Sequence, residues 1–245
     1  MSRPRPFFAP ALLLAGAASL SPAPATAAAV SGTVILVNAD GRRMKTPDHS
    51  GVVVWLEPLD SAPRPASSQV KQAVMDQRNK TFLPHVLAIE VGTPVDFPNS
   101  DPIFHNAFSN YNGQIFDVQL YAPETSRRVV FRRPGIVHVF CNIHETMSAV
   151  IAVLSTPYFV VTGADGRFKI EAPRGGYRLR FWHERTQPDV LQKLEQQLAV
   201  GDEGVTLGEM QIPAGSSVVT PHKNKYGHEY APRPAEHVFY PGARR

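Results

Sequence analysis

Gly135-Ile136-Val137-His138-Val139-Phe140-Cys141-Asn142-Ile143-His144-Glu145-Thr146-Met147 is the stretch from which the rest of the chain can be read. Its first half alternates at period two, the mark of a β-strand, with Val137, Val139 and Cys141 on one face. The sulfur is therefore expected to point into a core at the strand's end. Its second half is a C-x2-H-x2-M loop, short enough to wrap one ion, after which Met147 leads into the apolar run 148–154. Cys141 is the only cysteine among 245 residues. A second histidine, His105, lies upstream in Phe97-Pro98-Asn99-Ser100-Asp101-Pro102-Ile103-Phe104-His105-Asn106, on a segment that has to meet the loop in space.

One thiolate (Cys141), two imidazoles (His105 and His144) and a thioether (Met147) form the ligand set of a blue-copper electron-transfer centre. In such a centre Cys and two His make a trigonal plane and Met is a weak axial ligand. Cu(I) favours soft sulfur and Cu(II) favours imidazole nitrogen, so a mixed set serves both states with little rearrangement. A single buried cysteine is commonly no more than a small hydrophobe. Here it stands in order with three other ligands, each in a suitable strand-to-loop context, and the metal reading is preferred. The sequence therefore implies one type 1 copper, held in an all-β sandwich whose loops meet at one pole.

At this point the chain resembles the cupredoxins, over roughly residues 66–154. The likeness starts at Asn79-Lys80-Thr81-Phe82-Leu83-Pro84 and continues through Val91-Gly92-Thr93-Pro94-Val95-Asp96-Phe97-Pro98-Asn99-Ser100-Asp101. It then takes in His105-Asn106, Phe116-Asp117, Pro134-Gly135 and the Cys-His-Met loop. Within that family the chain looks nearest to the plastocyanin-like and amicyanin-like proteins, often labelled methylamine-utilisation-like; amicyanin shares the C-x2-H-x2-M spacing. The resemblance implies a Greek-key β-sandwich, ligand roles for His105, Cys141, His144 and Met147, and an Asn106 backbone amide donating to the Cys141 sulfur. It also implies electron exit at the edge of His144, under an apolar patch to which Ile103, Phe104, Ile143 and Met147 could contribute. His85 departs from the family pattern and is read as an ordinary partly buried histidine or an extra polar contact near the site.

The chain opens with Arg3 and Arg5, an apolar run over 7–20, and the small-residue triplets Ala25-Thr26-Ala27 and Ala27-Ala28-Ala29. That is the layout of a secretory signal peptide, assigned to residues 1–29. The run is shorter than the roughly 20 residues that span a bilayer, and Pro10 interrupts it, so no membrane span is expected. A periplasmic location follows. It sharpens the cysteine argument, because an unpaired thiol in an oxidising compartment is a liability unless something occupies it. The formal charge is +4; loss of Arg3 and Arg5 leaves +2, and the tail from Pro213 carries +3, so the folded body is near −1. Charge gives no reason to expect a nucleic-acid partner.

After the loop, Gly163-Ala164-Asp165-Gly166-Arg167-Phe168-Lys169-Ile170 and Pro173-Arg174-Gly175-Gly176-Tyr177-Arg178-Leu179-Arg180-Phe181 read as short alternating strands with turns at Asp165-Gly166 and Gly175-Gly176. They resemble the carboxypeptidase-regulatory-like, transthyretin-like β-sandwich and its T-D-x-D-G-R-F and P-x-G-x-Y-x-L patterns, with Gly163 and Ala164 departing from the first. That family opens with two strands, for which 32–37 and 51–58 are the candidates. The preferred arrangement inserts a cupredoxin domain (61–155) between these first strands (30–60) and the remainder of a small transthyretin-like sandwich (156–212). A tandem order, with 31–58 serving the cupredoxin, is the alternative. In the inserted order Val53 and Trp55 should pack near Phe168, Tyr177 or Phe181. Residues 189–198 suit either a short helix or part of a strand, 61–68 reads as a linker, and 213–245 reads as a flexible basic tail without a core of its own.

The function implied is a periplasmic one-electron carrier or relay, not an enzyme, working as a monomer with a redox partner protein. The alternatives are copper delivery or storage, and a scaffold that has lost its metal. Further H-x-H pairs for a multicopper oxidase and a second cysteine for a binuclear copper site are both absent from the sequence. Storage would multiply soft ligands, whereas Met1, Met44, Met75 and Met210 are scattered.

Overall fold

The computed structural model describes residues 27–43, 48–60, 72–110, 113–215 and 222–230. The chain runs β1 (Ala28–Val37) and β2 (Val53–Pro58), then β3 (Ala73–Val74), β4 (Asp76–Arg78), β5 (Thr81–Leu83), β6 (Val86–Glu90) and β7 (Pro94–Pro98). It continues with β8 (Phe108–Ser109), β9 (Phe116–Asp117), β10 (Ser126–Val130), β11 (Gly135–Phe140) and β12 (Ser148–Leu154). β13 (Phe159–Val161), β14 (Arg167–Ala172), β15 (Gly175–Trp182), α1 (Pro188–Lys193), β16 (Gln196–Val200) and β17 (Val205–Pro213) complete it. The fold is all-β. The ambiguous stretch after Pro188 resolves into both alternatives, one short helix and then β16.

Four of the five sheets lie in layers, and β4 and β5 form a separate two-stranded sheet. The outermost has the order β14-β1-β17, the next β13-β2-β15-β16, then β6-β12-β11-β8-β9, and last β10-β7-β3. Strands β1 and β2 pair with strands that follow residue 156, while β3 to β12 pair among themselves. Between the first two sheets lies a core of Val34, Leu36, Val54, Leu56, Phe168, Ile170, Tyr177, Leu179 and Phe181. Between the last two lies a second core that includes Val95, Phe97, Phe131, Val137, Val139, Cys141, Met147 and Ile151.

A third, smaller apolar cluster joins the two sandwiches. Val86, Ala152 and Leu154 from one meet Val53 of the other, with Trp55, Phe159, Val161 and Trp182 packed against them. β12 shows why this junction exists. Its sequence Ser-Ala-Val-Ile-Ala-Val-Leu is apolar at both parities, and every residue after Ser148 is buried. Ala149, Ile151 and Val153 face the core that holds Cys141 and Met147, whereas Ala152 and Leu154 face the other sandwich. Each large aliphatic side chain so covered contributes about 1.5–3 kcal/mol, so a strand of this composition is stable only with both faces covered.

Two local expectations shift by a residue or two. β2 pairs with β13 and β15, but Val54 and Leu56 are the residues that reach the core with Phe168, Tyr177 and Phe181. Val53 and Trp55 point the opposite way, into the junction. Val52-Val53-Val54-Trp55-Leu56 is apolar at every position, so its pattern carries no phase. The second turn, which carries the chain from the sheet of β14 to that of β15, falls on Pro173-Arg174, and Gly175 and Gly176 already belong to β15, paired with Val200 and Ala199. At the first turn Gly166 has φ +69, and a Cβ there would collide with the Val34 carbonyl oxygen. Only glycine suits that position.

Candidate metal centre

The end of β11 delivers Cys141. Its flanking Phe140 makes the last rung with Ser148, and beyond it the backbone N–H of Cys141 donates to the Met147 carbonyl (3.2 Å) while Met147 donates to His144 (3.1 Å). These two bonds close the loop into a tight cup. His105 is held from another direction: its N–H donates to Tyr121 O (3.1 Å) and its carbonyl accepts from Tyr121 N–H (2.8 Å). Tyr121 is itself fixed, its hydroxyl donating to the Phe97 carbonyl at 2.9 Å and accepting from the Gln77 side chain.

The result brings three of the four residues singled out in the sequence to one point. His105 Nδ1 lies 3.8 Å and His144 Nδ1 3.4 Å from Cys141 Sγ, and the three donor atoms lie within 4.8 Å of one another. Among the described residues this is the one such grouping of three. The fourth, Met147, is fully buried and belongs to the same core as Cys141. It therefore does not contribute to a surface patch, as the family likeness had allowed. Ile143 is exposed, at 38%, and Ile103 and Phe104 are half-buried.

Protonation states follow from the contacts. Nε2 of His105 lies 2.8 Å from Asp101 Oδ2. Burial pushes the Asp101 carboxyl upward, but the backbone N–H of Lys80, His105 itself and the backbone N–H of Asn79 outweigh it and hold the group below the usual carboxylate range. Asn79 and Lys80 both sit at φ 55, a pair of left-handed residues that aims two amides at this anion at 2.6 and 2.8 Å. An ionised carboxylate can only accept, so Nε2 carries the proton and Nδ1 presents its lone pair toward Cys141. Burial keeps His105 neutral in spite of Asp101. His144 is pushed down to about 4 by burial and by its neighbour His105, and is neutral at pH 7. Burial raises the Cys141 thiol, partly opposed by backbone amides of Ile143, Asn106 and His144. The Asn106 amide thus does aim at the sulfur.

Sequence reasoning missed two parts of this surrounding. One is Asp101, whose role depends on a turn that brings its carboxylate, four residues before His105, against that ring. The other is the tail: the sequence predicts a flexible basic tail without a core of its own, yet His222 is buried and residues 222–230 lie against the strand end that carries Cys141. It is fixed by polar and ring contacts, which leave no apolar periodicity in the sequence. His85 also finds a different place. It bridges the two sandwiches, with Nδ1 3.1 Å from Ser148 O and Nε2 2.8 Å from Glu184 Oε2. The residues of the signal-peptide assignment up to 26 and those of the linker lie outside the described residues, but Ala28 and Ala29 pair with Ala172 and Glu171 in β1. No described helix is long and apolar enough to cross a membrane.

Neither a family profile nor a curated protein matches the chain. Solved structures similar to part of it include a purple cupredoxin from Nitrosopumilus maritimus, 23% identical over 34% of this chain and 100% of that one, with a TM-score of 0.31. A copper-containing nitrite reductase from Thermus scotoductus is 25% identical over 40% of this chain and a quarter (25%) of its own length, with a TM-score of 0.34. A variant of amicyanin is 17% identical over 34% of this chain and 82% of that one, with a TM-score of 0.32.

Proposed function

We propose that this protein is a cupredoxin-like type 1 copper protein that carries single electrons in an exported compartment, with His105, Cys141 and His144 as equatorial ligands and Met147 as the axial one. The observation that carries the reading is the spacing of the three donors. Thiolate and imidazole bonds to a first-row divalent ion run about 2.3 and about 2.0–2.1 Å. At the 120° angle of a trigonal plane those lengths put sulfur and nitrogen roughly 3.8 Å apart, the distance found for His105; the 3.4 Å for His144 corresponds to an angle near 100°. The donor chemistry fits as well. Two neutral imidazoles and a buried thiol, whose proton a bound cation displaces, are held in place before any ion arrives. Bound copper would supply the reversible Cu(II)/Cu(I) couple. The protein's own part is to fix ring orientation through Asp101 and Tyr121 and to keep water from the sulfur, which is 0% exposed.

His144 is the one half-buried member of the set, and the reading takes its edge, beside exposed Ile143, as the route for electrons to a partner protein. The strand pairing favours a ligand-bearing domain inserted into a transthyretin-like sandwich. A leader removed after Ala27 would leave β1 whole, whereas removal after Ala29 would take its first two residues. The test is spectroscopic. Purified protein given one equivalent of Cu(II) should turn intensely blue, violet or green, and Cys141→Ser should lose the thiolate charge-transfer band entirely. A band that survives in Cys141→Ser, or no band in the unaltered protein, refutes the assignment.

A further inference from the structure

The segment 222–230 touches the site at three points that share one purpose. The Tyr230 hydroxyl donates to the carbonyl oxygen of Cys141 at 2.8 Å. The Lys225 backbone N–H donates to Asn142 Oδ1 at 2.9 Å. The Lys225 ammonium donates to Asp117 Oδ2 at 2.7 Å and to Gln119 Oε1 at 3.1 Å. The ring of His222 stacks on Phe140, with centroids 4.0 Å apart, and meets Tyr230 edge-on at 5.3 Å. The segment keeps its shape through Asn224, whose Oδ1 accepts the N–H groups of Tyr226 and His228 at 3.0 Å each.

These bonds close a ring. Asn106 Oδ1 accepts from Asn142 N–H (3.2 Å), Asn142 Oδ1 accepts from Lys225, Lys225 donates to Asp117, and Asp117 Oδ1 accepts from Asn106 Nδ2 (2.7 Å). Asn106 directly follows His105 and Asn142 directly follows Cys141. The ring therefore ties together the two chain segments that bring a nitrogen and a sulfur to the same point, and Lys225 is the member that closes it. Tyr230 adds a bond at the residue that carries the sulfur, just past the last rung of β11 with β12. Polar groups held this way resist small displacements, and outer contacts of this kind typically change metal affinity 10–100-fold.

We propose that residues 222–230 act as a strap that positions Cys141 relative to His105, with Lys225 and Tyr230 as its positioning residues. For the metal-loaded protein this rests on the copper reading above; for the metal-free protein it does not. The strap sets how fast copper leaves and how far the Cys141 thiol is exposed when copper is absent.

The test uses the full chain as Lys225→Ala, as Tyr230→Phe (which removes one hydroxyl and little else) and as both together, with Lys169→Ala, an exposed lysine on β14 of the other sandwich, as the control. In metal-free protein, alkylation of Cys141 by iodoacetamide and amide hydrogen exchange over 141–147 should accelerate about tenfold in the double variant and less in each single one. In copper-loaded protein, dissociation to a chelator should speed up by a similar factor and the charge-transfer band should move. Rates in the double variant equal to those of Lys169→Ala, with both proteins folded by circular dichroism, overturn the proposal. A wild-type protein that takes no copper would remove the copper reading alone, since the alkylation and exchange rates still decide the strap.

Discussion

The two sandwiches bury histidine to opposite ends. In the outer one, His49 accepts the Leu36 backbone N–H on Nδ1 at 3.0 Å. β14 pairs with β1 only as far as Thr33, so beyond that point the amides of β1 need other partners, and an imidazole supplies one. In the other sandwich, His105 bonds a carboxylate through Nε2 and turns Nδ1 toward a thiol. Both rings are buried, and only that of His105 turns a ring nitrogen toward a thiol. Burial of a histidine therefore says little about its work. The atom opposite its unprotonated nitrogen says a great deal.

That contrast can be broken most directly by exchanging the losses. His105→Ala should abolish the charge-transfer band and tight copper binding, because two donors in the plane no longer suffice. His49→Ala should leave the band intact. It should instead lower unfolding free energy by about 1–3 kcal/mol, the cost of leaving the buried Leu36 amide without an acceptor. Denaturant melts of both metal-free variants, set beside copper titrations, check the pair. A His49→Ala protein that stays folded but loses the band would show that the two histidines do not divide the tasks in this way.

A smaller effect is expected one shell out. Asp101→Asn keeps the size of the side chain but removes the charge that fixes which nitrogen of His105 bears the proton. Copper affinity should fall 10–100-fold and the reduction potential should rise, since a less electron-rich imidazole favours Cu(I). Competition with a chromophoric chelator measures the first and voltammetry the second. No change in either would mean that the Tyr121 bridge alone orients the ring.

Much of the candidate site is legible in the sequence because three of its four candidate donors are local. Cys141, His144 and Met147 sit three residues apart on a turn that follows an alternating strand, so their types and spacing carry the geometry with them. β14 shows the same legibility in packing, since its burial alternates strictly from Arg167 to Ala172. Reading failed where the cause was distant. The facing of Val53 and Trp55 depends on a second sheet that a uniformly apolar strand does not announce. Asp101, Lys225 and Tyr230 are polar residues in irregular segments, and their partners are fixed by the fold rather than by spacing. Tyr230 meets Cys141 across 89 residues of chain.

The smallest predicted effect tests the junction between the two regions, where neighbouring groups respond to pH with opposite sign. His183, 3% exposed, is pushed down to about 4 by burial and then by Arg185. Its folded value lies below its unfolded one, so the unfolded chain binds the extra proton, and stability should fall as pH drops from about 6.5 to about 4. The His85–Glu184 pair works the other way around its histidine. Both ring nitrogens of His85 face acceptors, the Ser148 carbonyl and the Glu184 carboxylate, which calls for the imidazolium, and the Glu184 hydrogen bond is the main cause that raises its pKa. The same bond chiefly lowers Glu184. The contribution is therefore present below the unfolded histidine value and lost as pH rises through the raised folded value; on the acid side it is lost as Glu184 takes up a proton. With the two side chains 44% and 35% exposed, solvent screening holds it below about 1 kcal/mol. Glu184→Gln should thus cost a few tenths of a kcal/mol near pH 6 and nothing once His85 has lost its proton, in thermal melts run pH by pH. A penalty that stays constant across that range would mean that the two sandwiches are joined there by packing alone, through Val53, Trp55 and Ala152.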